Sequence, residues 1–339
     1  MSDDNALRDM ARKFFASADS ALDEQALWLE CQKLDWNLVG IDENAGGVGG
    51  SLRDLATLLI EAGRGTAIIP LLEDATARSC LAEAGLLNRV DSANIVTLHA
   101  EPVPILDGVL HGPISNVPWA SKAEYLVVAT DDVESSWSLV NLRSEGVRIE
   151  TGYNIAGESR DSLHFDNVSP DVSWPPSATL RPVDVHLRCA LLRGCQLLGV
   201  LEKAMELTSS YARDREQFGK PINTFQAVAQ HLAVMRTGID LANVVVDAAL
   251  GGDGPEELPI AIMRSTLGTI SEDISARAHQ VHAAIGVTRE HPLHRSTLKM
   301  WAYRDEYGTQ RHWTLRLGRQ IVNGGADELW RVTAPRVLH

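Results

Sequence analysis

The amino-acid sequence predicts a mainly α-helical fold with a small β domain in the middle. Three observations predict it: helical periodicity up to about residue 95, short β-branched runs from about residue 94 to residue 174, and three long apolar stripes with helical spacing after about residue 183. We therefore expect an N-terminal helical domain over residues 1–93, an antiparallel β domain over 94–178, and a C-terminal four-helix bundle over 183–339.

The N-terminal region contains three predicted helices joined by short breaks. Helical periodicity places them over Leu22–Leu34, Leu52–Gly63 and Ala75–Gly85. The loop between the first two, LVGIDENAGGVGGS, is rich in glycine. No buried strand precedes this loop, and its spacing matches neither G-x-G-x-x-G nor a P-loop. We therefore interpret it as a helix connection and not as a nucleotide-binding loop.

The middle region contains six short runs that predict β-strands. They are separated by Gly, Pro, Asn and Asp, and they read NIVTLHA, GVLHG, EYLVVAT, WSLVNL, VRIET and SLHFDNV. This pattern is typical of a small antiparallel domain. Four prolines then predict the exit linker: Pro170, Pro175, Pro176 and Pro182.

The C-terminal region carries the strongest helical periodicity. Narrow apolar stripes run from Leu187 to Met205, from Phe225 to Val246 and from Ile260 to Ile285. Helices with such stripes pack nearly antiparallel, so these three segments predict a bundle. A fourth helix is expected from about His294 to Gly318.

The turn between the first two bundle helices carries an unusual set of side chains. Its sequence is YARDREQFGKPINTFQ, in which Gly219 and Pro221 end one helix and Thr224 is expected to cap the next. A guanidinium, two amides and an aromatic ring therefore gather at one corner: Arg215, Gln217, Gln226 and Phe218. This set suits a phosphate-bearing cofactor with a ring to stack, and plain helix termination is the alternative.

Composition and charge restrict the class of protein. The net charge of −14 argues against nucleic acids and anionic membranes as general partners. The four cysteines form no C-x-x-C pair, which predicts a reduced, cytoplasmic protein. The start MSDDNALRDM has no apolar core, so no signal peptide is expected there. No apolar run approaches the roughly 20 residues of a membrane span.

The corner segment resembles the signature of the acyl-CoA dehydrogenase family, R-x-[QT]-F-G-x-P followed by F-Q, and the order of the domains agrees with that family. Family members oxidise an acyl-CoA thioester between its α and β carbons. A carboxylate removes the α proton while FAD accepts a hydride. The resemblance implies that the corner residues hold the adenine and pyrophosphate part of the FAD of a neighbouring subunit.

A second segment, QVHAAIG, resembles the family's Q-x-x-G-G-x-G turn, which lays its backbone against the FAD diphosphate. Ala283 and Ala284 replace the paired glycines, and each adds a methyl group where close backbone approach is expected. The resemblance assigns Gln280 and Gly286 to the FAD site, together with Thr309 from the later segment RDEYGT.

The family's segments around the flavin ring are reduced in this chain. Of T-E-P-x-x-G-S-D the sequence HAEPVPILDG keeps Glu101 and Pro102, and of the later aromatic-Ile-Thr/Ser-Asn segment PISNVPWA keeps Ser115 and Asn116. The family's hydrogen-bond donors to the isoalloxazine are therefore hard to place here.

The usual catalytic glutamate is also absent. Tyr307 occupies its place in RDEYGT, and a phenol with a pKa of about 10 is a poor base at neutral pH. Some members use a glutamate on the first bundle helix, but that place holds Cys189. Glu306 is the candidate for a displaced base, although one residue rotates a side chain by about 100° on a helix. A solvated or cap-paired carboxylate is the alternative.

Two histidine pairs have i, i+3 spacing: His279 with His282, and His291 with His294. That spacing is compatible with a metal, but no cysteine or carboxylate supports it, so we predict no metal site. Interface histidines, core histidines or contacts with the phosphates of CoA are expected instead.

Three hypotheses follow. In the first, the chain is a non-catalytic subunit of an α2β2 acyl-CoA dehydrogenase, and a paralogous subunit supplies the glutamate and the flavin-ring pocket. The resemblance extends to such paired enzymes acting on steroid side-chain CoA thioesters, with electron-transfer flavoprotein or a similar acceptor. In the second, it is a homo-oligomeric dehydrogenase that uses Glu306. In the third, it is a flavin-free scaffold or regulatory subunit.

Overall fold

The computed structural model describes residues 3–18, 23–131, 136–177, 180–252 and 254–333. The fold class predicted from the sequence is confirmed: helices, then a small β domain, then a helical bundle. Leu22, the first residue of a predicted helix, and the ends of the predicted domains at 1–2 and 334–339 lie outside the described residues.

The first helical region contains α1 (Asp3–Ala18), α2 (Glu24–Lys33), α3 (Leu52–Arg64) and α4 (Leu71–Glu83). A capping box begins α3, because the Ser51 hydroxyl accepts from the Asp54 amide and the Asp54 carboxylate accepts from the Ser51 amide. The helix α4 begins four residues before the predicted start, since Pro70 can precede a helix without needing an N–H partner.

The β domain has two four-stranded sheets in the orders β1-β4-β5-β8 and β2-β3-β7-β6. Its strands are β1 (Val96–Val103), β2 (Ile105–Leu106), β3 (Val109–Pro118), β4 (Tyr125–Thr130), β5 (Trp137–Asn141), β6 (Val147–Glu150), β7 (Arg160–Val168) and β8 (Val172–Trp174). The pairing is antiparallel except between β1 and β4, which run parallel. The antiparallel prediction is wrong for that pair, because the chain crosses to the second sheet after β1 and returns to the start of β1.

The expected exit linker contains more structure than its prolines predict. Strand β8 lies between Pro170 and Pro175 and pairs with β5. Pro182 is the first residue of a long helix, where its missing N–H costs nothing. The linker prediction is therefore wrong at these two places, because an edge strand and a helix start both tolerate proline.

The bundle contains α5 (Pro182–Asp214), α6 (Gln226–Ala249), α7 (Glu257–His282), α8 (Leu293–Asp305) and α9 (Gln310–Thr333). The prediction of one fourth helix over His294–Gly318 is wrong, because a turn separates α8 from α9. Tyr307 and Gly308 have φ angles of 53° and 105° there, outside the helical region. Thr309 then accepts a hydrogen bond from the amide of His312 and starts α9.

Two glycines bring the N-terminal region directly against the bundle. A Cβ on Gly199 would lie 1.8 Å from the carbonyl oxygen of Ile60, and a Cβ on Gly63 would lie 2.1 Å from that of Gln196. The backbones of α3 and α5 are therefore in contact, which only glycine permits. None of the described helices combines the length and the apolar character needed to cross a bilayer.

Candidate functional site

The corner predicted from the sequence is a short hairpin between α5 and α6. It consists of β9 (Glu216–Gln217), a tip, and β10 (Lys220–Pro221), followed by one 3-10 turn. The Thr224 hydroxyl donates to the carbonyl of Pro221 and α6 begins at Gln226, so the prediction that Thr224 caps α6 is wrong. The hydroxyl is used by the 3-10 turn that precedes the helix.

The side chains of the corner point away from the core. Arg215 is exposed and makes no ion pair or side-chain hydrogen bond with any described residue, while its backbone is fixed to Tyr211 and Ile222. Phe218 at the tip is 92% exposed, and its ring packs edge-on against Phe225 at 6.1 Å. A fixed backbone that presents an unpaired guanidinium and a bare aromatic ring is suited to bind an anionic ligand with a planar group.

Gln217 and Gln226 are exposed on the same corner, and the Gln280–Gly286 turn lies beside it. Val281 joins Ala212 and Ile222 in one buried cluster, which fixes the end of α7 against the corner. Four of the seven residues predicted to bind the cofactor thus lie at the corner, and Val281 connects the corner with the turn that contains Gln280 and Gly286. Thr309 lies in another part of the structure, before α9, where its hydroxyl accepts a hydrogen bond from the amide of His312.

The turn keeps a glycine-like backbone although its paired glycines are alanines. Ala283 has a φ of 53° and a ψ of −139°, a conformation that is strained for a residue with a Cβ. Gly286 is buried, and a Cβ there would lie 2.8 Å from the Cβ of His282. The chain therefore holds a strained, positive-φ backbone at the first of the two alanines.

We expect Ala283→Gly to stabilise the chain by about 1 kcal/mol, because glycine removes the strain of the positive φ. The larger conformational entropy of glycine in the unfolded chain offsets part of this gain. Urea unfolding measures the change. Ala284→Gly is the matched control, since Ala284 has no positive φ, and it is expected to destabilise. Equal shifts for both variants would contradict the assignment of strain to Ala283.

The two positions that hold a base in the family meet around Glu73 at the start of α4. The hydroxyl of Tyr307 lies 3.5 Å from Glu73 Oε1, and the charge of Glu73 raises the pKa of both Tyr307 and Cys189 after burial itself, which is the larger cause. Both groups are therefore neutral at pH 7. Neither can act as a base.

A network of six charged side chains, all buried except the partly exposed Glu306, surrounds these positions. It draws on all three regions of the chain and consists of Glu73, Glu158, Arg160, Arg193, Lys299 and Glu306. The three carboxylates balance the three cations, as buried charges require. We call this set the ionic network.

Arg193, at the middle of α5, lies at the centre of the ionic network. Its Nη2 donates to Glu73 Oε1 at 2.6 Å, and its Nε lies 3.0 Å from Glu306 Oε2. The guanidinium also packs over the rings of Tyr303 and Tyr307, at 4.4 and 5.8 Å from their centroids. It is 2% exposed, so these contacts exclude water.

Glu306 is held by a second arginine from the β domain. Arg160 donates from Nε to Glu306 Oε1 at 2.9 Å and from Nη2 to Oε2 at 2.8 Å, a bidentate pair. Asn154 donates to the same carboxylate at 2.9 Å. Burial favours a higher pKa, but Arg160 and Arg193 outweigh it and lower the pKa of Glu306. A carboxylate held in this way is a weak base.

Lys299 and Glu158 complete the network. The Lys299 ammonium donates to Glu158 Oε1 at 2.5 Å, to the carbonyl of Ala67 at 2.9 Å and to the hydroxyl of Tyr303 at 2.9 Å. The Tyr303 hydroxyl also donates to Glu158. All donors of the ammonium are thus occupied within the protein, and none is left for a substrate.

The remnants of the flavin-ring segments lie at the surface of the β domain. Glu101 and Pro102 in β1 are exposed, and Ser115 and Asn116 in β3 are exposed at an irregularity in its pairing with β7. None of the four forms a site with the ionic network. The exposed guanidinium, amides and aromatic ring of the corner are of the kind that would hold the adenine and diphosphate half of FAD, whereas the family's donors to the flavin ring are reduced to these four exposed residues.

Two pockets formed by the described residues lie away from these positions. A groove of about 610 Å³ lies between α7 and α9, and a cavity of about 70 Å³ lies beside Cys80 and Trp137. Neither is lined by Cys189, Glu306 or Tyr307. Among the described residues no three His, Cys, Asp or Glu side chains come together as a metal site.

The sequence reasoning missed five members of the ionic network, all except Glu306. One feature of the sequence could have indicated the network. Arg193 is a charged residue within ALLRGCQLLGV, an apolar stretch of the first bundle helix. Such a charge is buried with a partner or functional. Its partners could not be read, because they lie more than 100 residues away along the chain.

Comparisons with known proteins agree with this fold. Residues 188–322 match the family model described as acyl-CoA dehydrogenase, C-terminal domain. The acyl-CoA dehydrogenase IpdE2 of Mycobacterium tuberculosis is 26% identical over 284 residues, which cover 82% of this chain and 80% of that protein. 

Two solved structures share the fold over nearly the whole chain. One is the ChsE4–ChsE5 complex from Mycobacterium tuberculosis, with a TM-score of 0.84 and 21% identity over 96% of this chain and 99% of that one. The other is a variant of the Tcur3481–Tcur3483 steroid ACAD, with a TM-score of 0.82 and 25% identity over 95% and 98%. Residues 188–322 therefore carry the C-terminal domain of the acyl-CoA dehydrogenase family, and the helical and β architecture of the described chain is similar to that of these relatives.

Proposed function

We propose that this chain is a non-catalytic subunit of a heteromeric acyl-CoA dehydrogenase that binds the far half of the FAD of a paralogous partner. One contrast carries the proposal. The base positions are enclosed by the ionic network, whereas the corner leaves Arg215 unpaired and exposed. A subunit with its own active site would need the opposite arrangement, an open reaction cavity with a free carboxylate.

The similar proteins support a paired assembly. The Tcur3481–Tcur3483 steroid ACAD and the ChsE4–ChsE5 complex each combine two different chains by their names. The first of these also supports a steroid side-chain CoA thioester as the substrate of the whole enzyme. In this proposal the partner supplies the flavin-ring pocket and the glutamate, electron-transfer flavoprotein or a similar acceptor takes the electrons, and the assembly works in the cytoplasm.

When bound, FAD supplies the hydride acceptor, and this chain supplies position and charge. The Arg215 guanidinium would bind the diphosphate as a bidentate donor, and Phe218 offers a ring for stacking. The amides of Gln217, Gln226 and Gln280 are free to donate to phosphate or sugar oxygens at the same corner.

The homo-oligomeric alternative, with Glu306 as the base, is disfavoured by the pairing of that carboxylate. Proton abstraction would neutralise Glu306 and leave Arg160 and Arg193 with fewer partners in a buried site. Breaking a buried pair in this way costs about 3–5 kcal/mol. The flavin-free scaffold remains a distinct hypothesis, because it makes no use of Arg215.

Co-expression with a glutamate-bearing paralogue tests the proposal. The chain alone is expected to be colourless and inactive with acyl-CoA, and the co-purified complex is expected to show the absorbance of bound FAD and to reduce an electron acceptor. A yellow, active chain without a partner would support the homo-oligomeric enzyme. A complex that never contains flavin would support the scaffold.

A further inference from the structure

A group of three aromatic rings packs against the Gln280–Gly286 turn. The rings of Tyr211 and His282 are stacked with centroids 4.5 Å apart, and His291 is tilted against both of them, with its centroid 4.5 Å from that of His282 and 6.0 Å from that of Tyr211. We call these three side chains the aromatic stack. It joins the end of α5, the end of α7 and the segment before α8.

Hydrogen bonds fix the protons of both imidazoles. His282 Nδ1 lies 2.8 Å from the carbonyl oxygen of Ala278, so this nitrogen carries the proton and Nε2 is the acceptor. His282 Nε2 is buried and has no partner among the described residues. His291 Nδ1 accepts from the amide of Leu293 at 3.2 Å, so it is the unprotonated nitrogen of that ring. Both rings are neutral in this arrangement.

Nothing around the stack compensates a positive charge. Tyr211 faces it from α5, His279 from α7, and His291 with His294 from the start of α8. Glu290 precedes His291 but makes no ion pair with it, and no described carboxylate lies within 4 Å of either imidazole of the stack. Burial, followed by the neighbouring histidines, lowers the pKa of His282 to about 4 and also lowers the pKa of His291.

The aromatic stack and the turn are in direct contact. Gly286 packs so closely on His282 that an added Cβ would lie 2.8 Å from the histidine Cβ and 3.3 Å from His279 Nδ1. Val281, next to His282, lies in the cluster that anchors the turn to the corner. A shift of the His282 ring therefore displaces the backbone that faces the cofactor.

We propose that His282 and His291 are positioning residues for the shared FAD: while neutral, they hold the Gln280–Gly286 turn against the Arg215 corner, and their protonation releases it. This inference rests on the proposed function. It gives one histidine of each pair a part in cofactor retention.

The direction of the pH dependence follows from the lowered pKa values. In the released turn a histidine titrates near its ordinary pKa of about 6.5, so acid favours release as the pH falls below that value. Above it, both states are neutral and the holding effect is complete. At pH 5 the FAD affinity is expected to be weaker than at pH 7 by a factor on the order of ten.

The test measures FAD release from the co-expressed complex at pH 7 and pH 5. His282→Phe and His291→Phe keep an aromatic ring but cannot be protonated, so each is expected to retain FAD at pH 5 better than the parent complex does. His291 is half-buried, so its variant folds even if the first does not. His164→Phe, at an exposed site in β7, is the control and should release FAD as the parent does.

The same acid-induced release in the parent and in both stack variants would overturn the inference. A complex without FAD at pH 7 would overturn the proposed function instead. In that case hydrogen exchange still tests the inference. It measures the protection factors of the backbone amides of residues 280–286 in the parent chain and in His291→Phe. Protection that falls with acid in the parent alone supports the positioning role, and protection that is equal in both contradicts it.

Discussion

Replacing Arg193 with methionine is expected to destabilise the chain by about 3–5 kcal/mol. The substitution keeps most of the side-chain volume but leaves the buried Glu73 and the largely buried Glu306 short of a cation, which is the costly way to break a buried ion pair. Urea unfolding measures the loss in the free energy of unfolding. The slope of that free energy against urea concentration is expected to stay unchanged.

Arg236→Met is the matched control. Arg236 forms an i, i+4 pair with Asp240 on the exposed face of α6, and such surface pairs contribute about 0.3–0.5 kcal/mol. If Arg193→Met cost no more than this control, the ionic network would not be the tightly paired structure that the proposed non-catalytic role requires.

Arg215→Ala is expected to weaken FAD binding in the co-expressed complex by at least about thirtyfold, which corresponds to about 2 kcal/mol. The guanidinium has no internal partner to lose, so its removal acts on the ligand and leaves the fold intact. Titration of the flavin-free complex with FAD, followed by flavin fluorescence, measures the change.

Arg213→Ala tests whether charge alone explains that loss. Arg213 is equally exposed and lies in the last turn of the same helix, but it is outside the family signature. It is expected to change FAD affinity less than threefold, the size of a screened surface charge. Equal losses for both variants would point to a general electrostatic effect, and no loss for either would favour the scaffold hypothesis.

The elements of the fold that the sequence predicts correctly are those that depend on local sequence patterns. The apolar stripes predict α5, α6 and α7, and the glycine and proline of the corner predict the break between α5 and α6. The break after Asp305 was missed because the helical periodicity continues across it. The turn depends on the φ angles of Tyr307 and Gly308, which a periodic pattern does not report.

The ionic network could not be predicted because its members come from distant parts of the chain. Glu73 lies in the first turn of α4, Glu158 precedes β7 and Arg160 is its first residue, and Lys299 lies in α8. Each of them alone resembles an ordinary surface charge in the sequence. Only the packing of the three regions shows that they neutralise one another and enclose the positions of Tyr307 and Cys189.

The parallel pairing of β1 with β4 was missed for a similar reason. Strand sequences show which residues are buried, but the direction of a partner strand depends on the route of the chain between them. The exit prolines likewise indicate edges and helix starts as readily as loops, and here they flank β8 and begin α5.

The ratio of FAD to polypeptide in the purified complex tests the central claim most directly. A chain that holds the far half of the cofactor, but has no pocket for the ring, predicts one FAD for each pair of this chain and its partner. Quantitative absorbance against amino-acid analysis measures that ratio. One FAD per polypeptide would show that this chain binds a complete flavin of its own, and would contradict the account.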